Sequence, residues 1–175
     1  MNKTIGTIIT LVIGGTAYTF SQADVVKNFS KDTGLTQEQA EQFVSKIKEE
    51  DLVPFDEIGS DFISEGQDIV EIANGIDCVN YEYDWESNVL TCEQGKSQLR
   101  KIGYDGIDLG KAYKTLDTKD ATRDDISLVI RNIDKYNADL ELSVVNIALD
   151  SSTIDEIKKT NSYNKALLKA ALDSD

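Results

Sequence analysis

Apolar residues in the second half of this chain return at intervals of three and four. Leu99, Ile102, Gly106, Leu109, Tyr113 and Leu116 follow a 3-4-3-4-3 spacing. Ile126, Ile130, Ile133, Asn137, Leu140, Val144 and Ile147 then alternate 4-3 in the same way. Such spacing lays one stripe along a helix, and the second run predicts a helix of about 27 residues. Earlier, Thr36-x-x-Gln39 reads as a capping box, because each side chain can satisfy a backbone N–H that the first turn leaves unpaired. Ala40, Phe43, Val44 and Ile47 follow it at helical spacing. Pro54 suits a first helical turn, and Phe55, Ile58, Phe62, Ile69 and Ile72 share a stripe that Asn74-Gly75 stops. A last stretch carries Ile154, Ile157, Leu167, Leu168 and Leu172.

Strand signals are expected only within 76–91, and residues 24–34 read as a polar lead-in. The expected fold is all-α: a bundle of four or five helices in one domain over 24–175. One short disulfide-bound loop or β-ribbon would join the second and third helices. Gly59 and Gly66 are seven residues apart in the second helix, as are Gly103 and Gly110 in the third. Glycine costs a helix interior about 1 kcal/mol relative to alanine, so this pairing predicts a close crossing of the two backbones. Asn137, polar within an apolar stripe, either fixes a helix register or faces solvent.

The segment before residue 24 changes the picture. Residues 1–23 read as a signal peptide or an N-terminal membrane anchor. Lys3 makes a short positive start, Thr4 to Phe20 carry no charge, and Ser21-Gln22-Ala23 offers a peptidase site before Asp24. The same run lies at the lower edge of a membrane span, so cleavage and anchoring both stay open. Either way the body of the chain is expected outside the cytoplasm, periplasmic, secreted or held at the inner membrane. Membrane contact is expected only through residues 4–20, if they are retained.

Charge and composition then narrow the chemistry. With 32 acids against 18 bases the net charge is −14, so nucleic acid and anionic membrane surfaces are poor partners. There is no histidine, which removes Ser-His-Asp and Cys-His catalysis and histidine zinc sites. The two cysteines, Cys78 and Cys92, lack further thiolates or imidazoles to complete a metal set, and they are too far apart for a C-x-x-C redox pair. In an exported chain a disulfide remains. Cys92 follows Thr91-x-x-Gln94, a second capping box, so the bridge would staple the end of the second helix to the start of the third.

Between the cysteines, Tyr81, Tyr83 and Trp85 alternate with acids and would share one face of a strand. They would either cap the open end of the bundle or meet a partner or ligand. Adjacent acids such as Asp124-Asp125 and Asp155-Glu156 read as solvated faces, and no calcium-loop spacing accompanies Asp117, Asp120, Asp124 and Asp125. No catalytic residue, cofactor or metal is expected. The leading expectation is a non-catalytic interaction or structural module of a bacterial cell envelope with a protein partner. A small-ligand or glycan binder using Tyr81, Tyr83 and Trp85 is the alternative. An enzyme inhibitor or a carboxylate-based hydrolase is the remainder.

Overall fold

The computed structural model describes residues 7–47, 52–79 and 91–174, and the statements below concern these. The chain enters through strands. β1 (Ile8–Ile13) pairs antiparallel with β2 (Thr16–Ser21), with Ile13 opposite Thr16 and Ile8 opposite Ser21. Gly14 and Gly15 form the two-residue turn at φ 59° and 77°, the left-handed conformations that a twisted hairpin favours. Ile13, Tyr18 and Phe20 face inward and join the core. This corrects the expectation that strand signals lie only within 76–91. An uncharged run interrupted by Gly-Gly fits a hairpin as well as a leader, and hydropathy alone does not separate them. The expected peptidase site between Ala23 and Asp24 falls in the first turn of the next helix.

α1 (Gln22–Thr33) also departs from expectation, since residues 24–34 are a core element rather than a lead-in. Ser21 accepts the N–H of Asp24 at 3.2 Å, Gly34 closes the other end at φ 74°, and Val25, Val26 and Phe29 are buried. α2 (Gln37–Ser45) follows, then α3 (Phe55–Asn74), α4 (Cys92–Thr115), α5 (Arg123–Asp139), a 3-10 turn over Ser143–Ile147, and α6 (Ser151–Asp173). The fold is thus mostly helical with a small two-stranded sheet. It has six helices among the described residues rather than four or five. Both expected capping boxes form, Thr36 with Gln39 and Thr91 with Gln94.

α3 and α4 lie antiparallel and are drawn together by their glycines. A Cβ on Gly59 would lie 2.5 Å from the carbonyl oxygen of Gly110, and one on Gly66 would lie 2.5 Å from that of Gly103. Backbones can meet this closely only where side chains are absent. The sum of the paired numbers is the same for both contacts, so one antiparallel register runs along the pair. Every apolar residue of the α4 stripe is buried.

α6 returns across the molecule and covers α1, β2 and α5. The Asn28 amide donates to the Ala166 carbonyl at 3.2 Å, and Lys165 bridges Asp32 of α1 and Asp134 of α5. One continuous apolar core therefore includes the hairpin, α1 and α6. The helix expected to reach Ile147 stops at Asp139, where backbone bonds tighten from i−4 to i−3 at Glu141 and Leu142. Val144 still points inward from the 3-10 turn. Among the described residues no helix is long and apolar enough to cross a membrane.

Candidate functional site

Four elements that are distant in sequence enclose an apolar groove of about 540 Å³. β1 contributes Leu11 and Val12, the end of α2 contributes Phe43 and Ile47, and α3 with its lead-in contributes Leu52, Val53, Pro54, Phe55 and Ile58. α6 forms the floor through Tyr163, Asn164 and Leu167. Large apolar side chains stay exposed at its lip: Val12 at 61%, Leu52 at 48% and Val53 at 47%. Scattered exposed leucines need no explanation, but several around one concavity mark a surface suited to association. The groove is not visible in the sequence, because its walls come from residues that each look like ordinary stripe positions and β1 has the uncharged composition of a leader.

The floor is held by polar contacts. The buried Asn164 amide donates to the Tyr113 hydroxyl at 3.3 Å, and that hydroxyl donates to Asn161 Oδ1, also at 3.3 Å. The Asn161 amide donates to Asn137 Oδ1 at 3.0 Å. Asn137 is half-buried and also donates to the Lys158 carbonyl at 3.5 Å, so it ties α5 to α6. Burial pushes the Tyr113 hydroxyl far above its ordinary range.

A second cluster was invisible in the sequence. Asp105 of α4 and Asp139 of α5 are each only 6% exposed. Lys101 reaches Asp105 at 2.8 Å and Asp139 at 3.3 Å, and Lys135 reaches Asp105 at 3.2 Å. Burial alone would raise the Asp105 carboxyl, but hydrogen bonds with Asp139, Lys101 and Lys135 outweigh it and hold that carboxyl below the usual range. Burial, then the hydrogen bond and charge of Asp105, push Asp139 up to about 6. Among the described residues no group donates to Asp139 Oδ2. The pair can hold one proton between two acids, as close carboxylates do. Nearby, the Tyr136 hydroxyl is also buried, without a partner among the described residues. Neither acid lines the groove, and among the described residues no group of three or more acids, cysteines or histidines could hold a metal ion.

Of the residues singled out in the sequence, Cys78 and Cys92 are joined by a disulfide, with Cα atoms 5.6 Å apart. The bridge extends the α3–α4 register beyond the last glycine pair. Tyr81, Tyr83 and Trp85, and the expected ribbon between α3 and α4, lie outside the described residues. The cysteines sit at the far end of α3 from the groove, so the two features are separate. The chain matches no family model, no curated protein and no solved structure.

Proposed function

We propose that this chain is a non-catalytic interaction module of the bacterial cell envelope, which takes up an apolar part of a protein partner in the groove between β1, α2, α3 and α6. The observation that carries this reading is the concentration of exposed Val12, Leu52 and Val53 around one concave apolar surface. Leaving such side chains in water costs about 25 cal/mol per Å², which a partner can recover. The disulfide supports a place outside the cytoplasm, where thiols are oxidised.

The test compares recovery of envelope proteins by the immobilised wild-type chain and by a Leu52→Glu/Val53→Glu variant. Both side chains are half exposed, so the variant should melt within about 0.5 kcal/mol of wild type. Loss of specific partners from the variant supports the groove. An identical set recovered by both chains overturns it.

A further inference from the structure

We propose that β1 is an acceptor strand, and that the occupant of the groove is an extended, apolar peptide segment with a basic end, added beside β1 as a third strand. This rests on the groove being an interaction site and names what enters it.

The hairpin register decides which backbone groups are free. A two-residue turn makes Ile13 and Thr16 a hydrogen-bonded pair, so Leu11 with Tyr18 and Ile9 with Phe20 are bonded too. Ile8, Thr10 and Val12 fall at the alternate positions, and their N–H and C=O groups point away from β2. Among the described residues no backbone group of another element bonds to them. Such a row of donors and acceptors is a template for another strand.

Proteins usually protect such an edge with charge, proline or a bulge. β1 reads IITLVI and has none of these. Ile8 is 63% exposed. The groove lies along this strand, with Leu11 and Val12 in its wall, so alternate side chains of an added strand would have an apolar seat. Backbone bonds would supply affinity and the groove would supply side-chain selection, the division of labour found in strand addition.

Charge chooses between occupants. Exposed Asp117 lines the groove and accepts the Asp56 N–H at 2.6 Å, and exposed Asp56 and Glu57 stand beside it in the first turn of α3, with Lys114 paired to Asp56 at 3.1 Å. A second copy would bring another −14 and meet like charge. A segment ending in lysine or arginine would instead meet the surplus carboxylates.

The probe is a fluorescent synthetic peptide, Lys-Lys-Thr-Val-Thr-Val-Thr-Val, titrated with the full chain and followed by anisotropy. Two N-methylated forms, methylated at alternate residues in either phase, remove the backbone donors of one edge at a time. The expected result is saturable binding that one methylated phase weakens by at least about tenfold, since several hydrogen bonds are lost. Thr10→Pro should weaken it similarly because its N–H faces outward, whereas Thr10→Val should not. Replacing the lysines by glutamates should weaken binding most at low salt.

Equal binding of the parent and both methylated peptides overturns strand addition. If Leu52→Glu/Val53→Glu still abolishes that binding, the groove reading stands alone. No binding of the parent peptide at all also overturns the proposal, while the groove itself is judged by envelope recovery. A dimer in sedimentation that Thr10→Pro dissociates would show a second copy on β1 and overturn the peptide as occupant.

Discussion

Gly66 and Gly103 meet backbone to backbone. A Cβ on Gly66 would lie 2.5 Å from the Gly103 carbonyl oxygen, and one on Gly103 would lie 2.8 Å from that of Gly66. Alanine improves helix propensity by about 1 kcal/mol, but here it would force two helices apart along a shared register. Gly66→Ala is therefore expected to destabilise by about 1–3 kcal/mol in denaturant melts, as overpacking does. Gly75→Ala is the control. Its Cβ would sit 3.5 Å from the Glu71 carbonyl oxygen, an ordinary contact, so that variant should be neutral or slightly stabilised.

Removing the staple should cost stability without removing helices. Cys78→Ser with Cys92→Ser frees a loop closed across a sequence separation of 14, worth about 3 kcal/mol in the chain-entropy model. Circular dichroism should show nearly unchanged helicity at 25 °C and a lower melting temperature. A native, unreduced protein with two titratable thiols would contradict the bridge.

Asp139 gives the fold a pH dependence whose sign can be worked out. Its folded pKa is raised from 3.8 to about 6, so the folded state holds a proton that the unfolded state releases. Stability from this group is full below about pH 4 and is lost as pH rises through 6. Asp139→Asn keeps the shape and removes the titration. Its melting temperature relative to wild type should rise between pH 4.5 and pH 7.5, and a constant difference would contradict the shared proton.

Tyr136 carries a hydroxyl with no hydrogen-bond partner among the described residues, although its ring packs edge-on against Phe62 at 5.5 Å. Phenylalanine keeps that packing and discards the unpaired group. Tyr136→Phe should stabilise the protein by about 1 kcal/mol, against the usual direction for core substitutions. A loss of stability would reveal a partner for the hydroxyl.

The hairpin can be weighed by deletion. Without residues 1–23 the chain loses Ile13, Tyr18 and Phe20 from its core together with the Ser21 cap of α1. Each buried side chain of this size contributes about 1.5–3 kcal/mol, so the shortened chain should lose about 5 kcal/mol or more. Chemical denaturation of the two chains measures it, and equal stability would restore a domain beginning at Asp24.

The helical framework was legible because its signals are local. The stripe from Leu99 to Leu116 is buried at every position, and Thr36 and Thr91 cap the helices they head. The glycine crossing was legible for the same reason, since two matched spacings of seven can be read without knowing the fold. The hairpin was not, because hydropathy records that Thr4 to Phe20 avoid water but not whether lipid or protein covers them. α1 was missed because three buried residues among polar neighbours make a weak stripe, anchored in space by Asn28 rather than in sequence. Asp105 and Asp139 look like any other acids of an acidic chain until α4 and α5 pack. The groove needs four elements in place before it exists.

At the tip of the hairpin, a Cβ on Gly14 would lie 2.0 Å from the Ala121 carbonyl oxygen, so the first turn of the chain is pressed onto the turn between α4 and α5. Behind it, α6 covers β2 and α1. The strands are thus made first and their seat is made last. At synthesis rates of about 5–20 residues per second, roughly 7–30 seconds separate the two. Through that interval an uncharged apolar run stands uncovered on the nascent chain, open to whatever machinery recognises such runs. Folding then ends the opportunity by closing α6 over it.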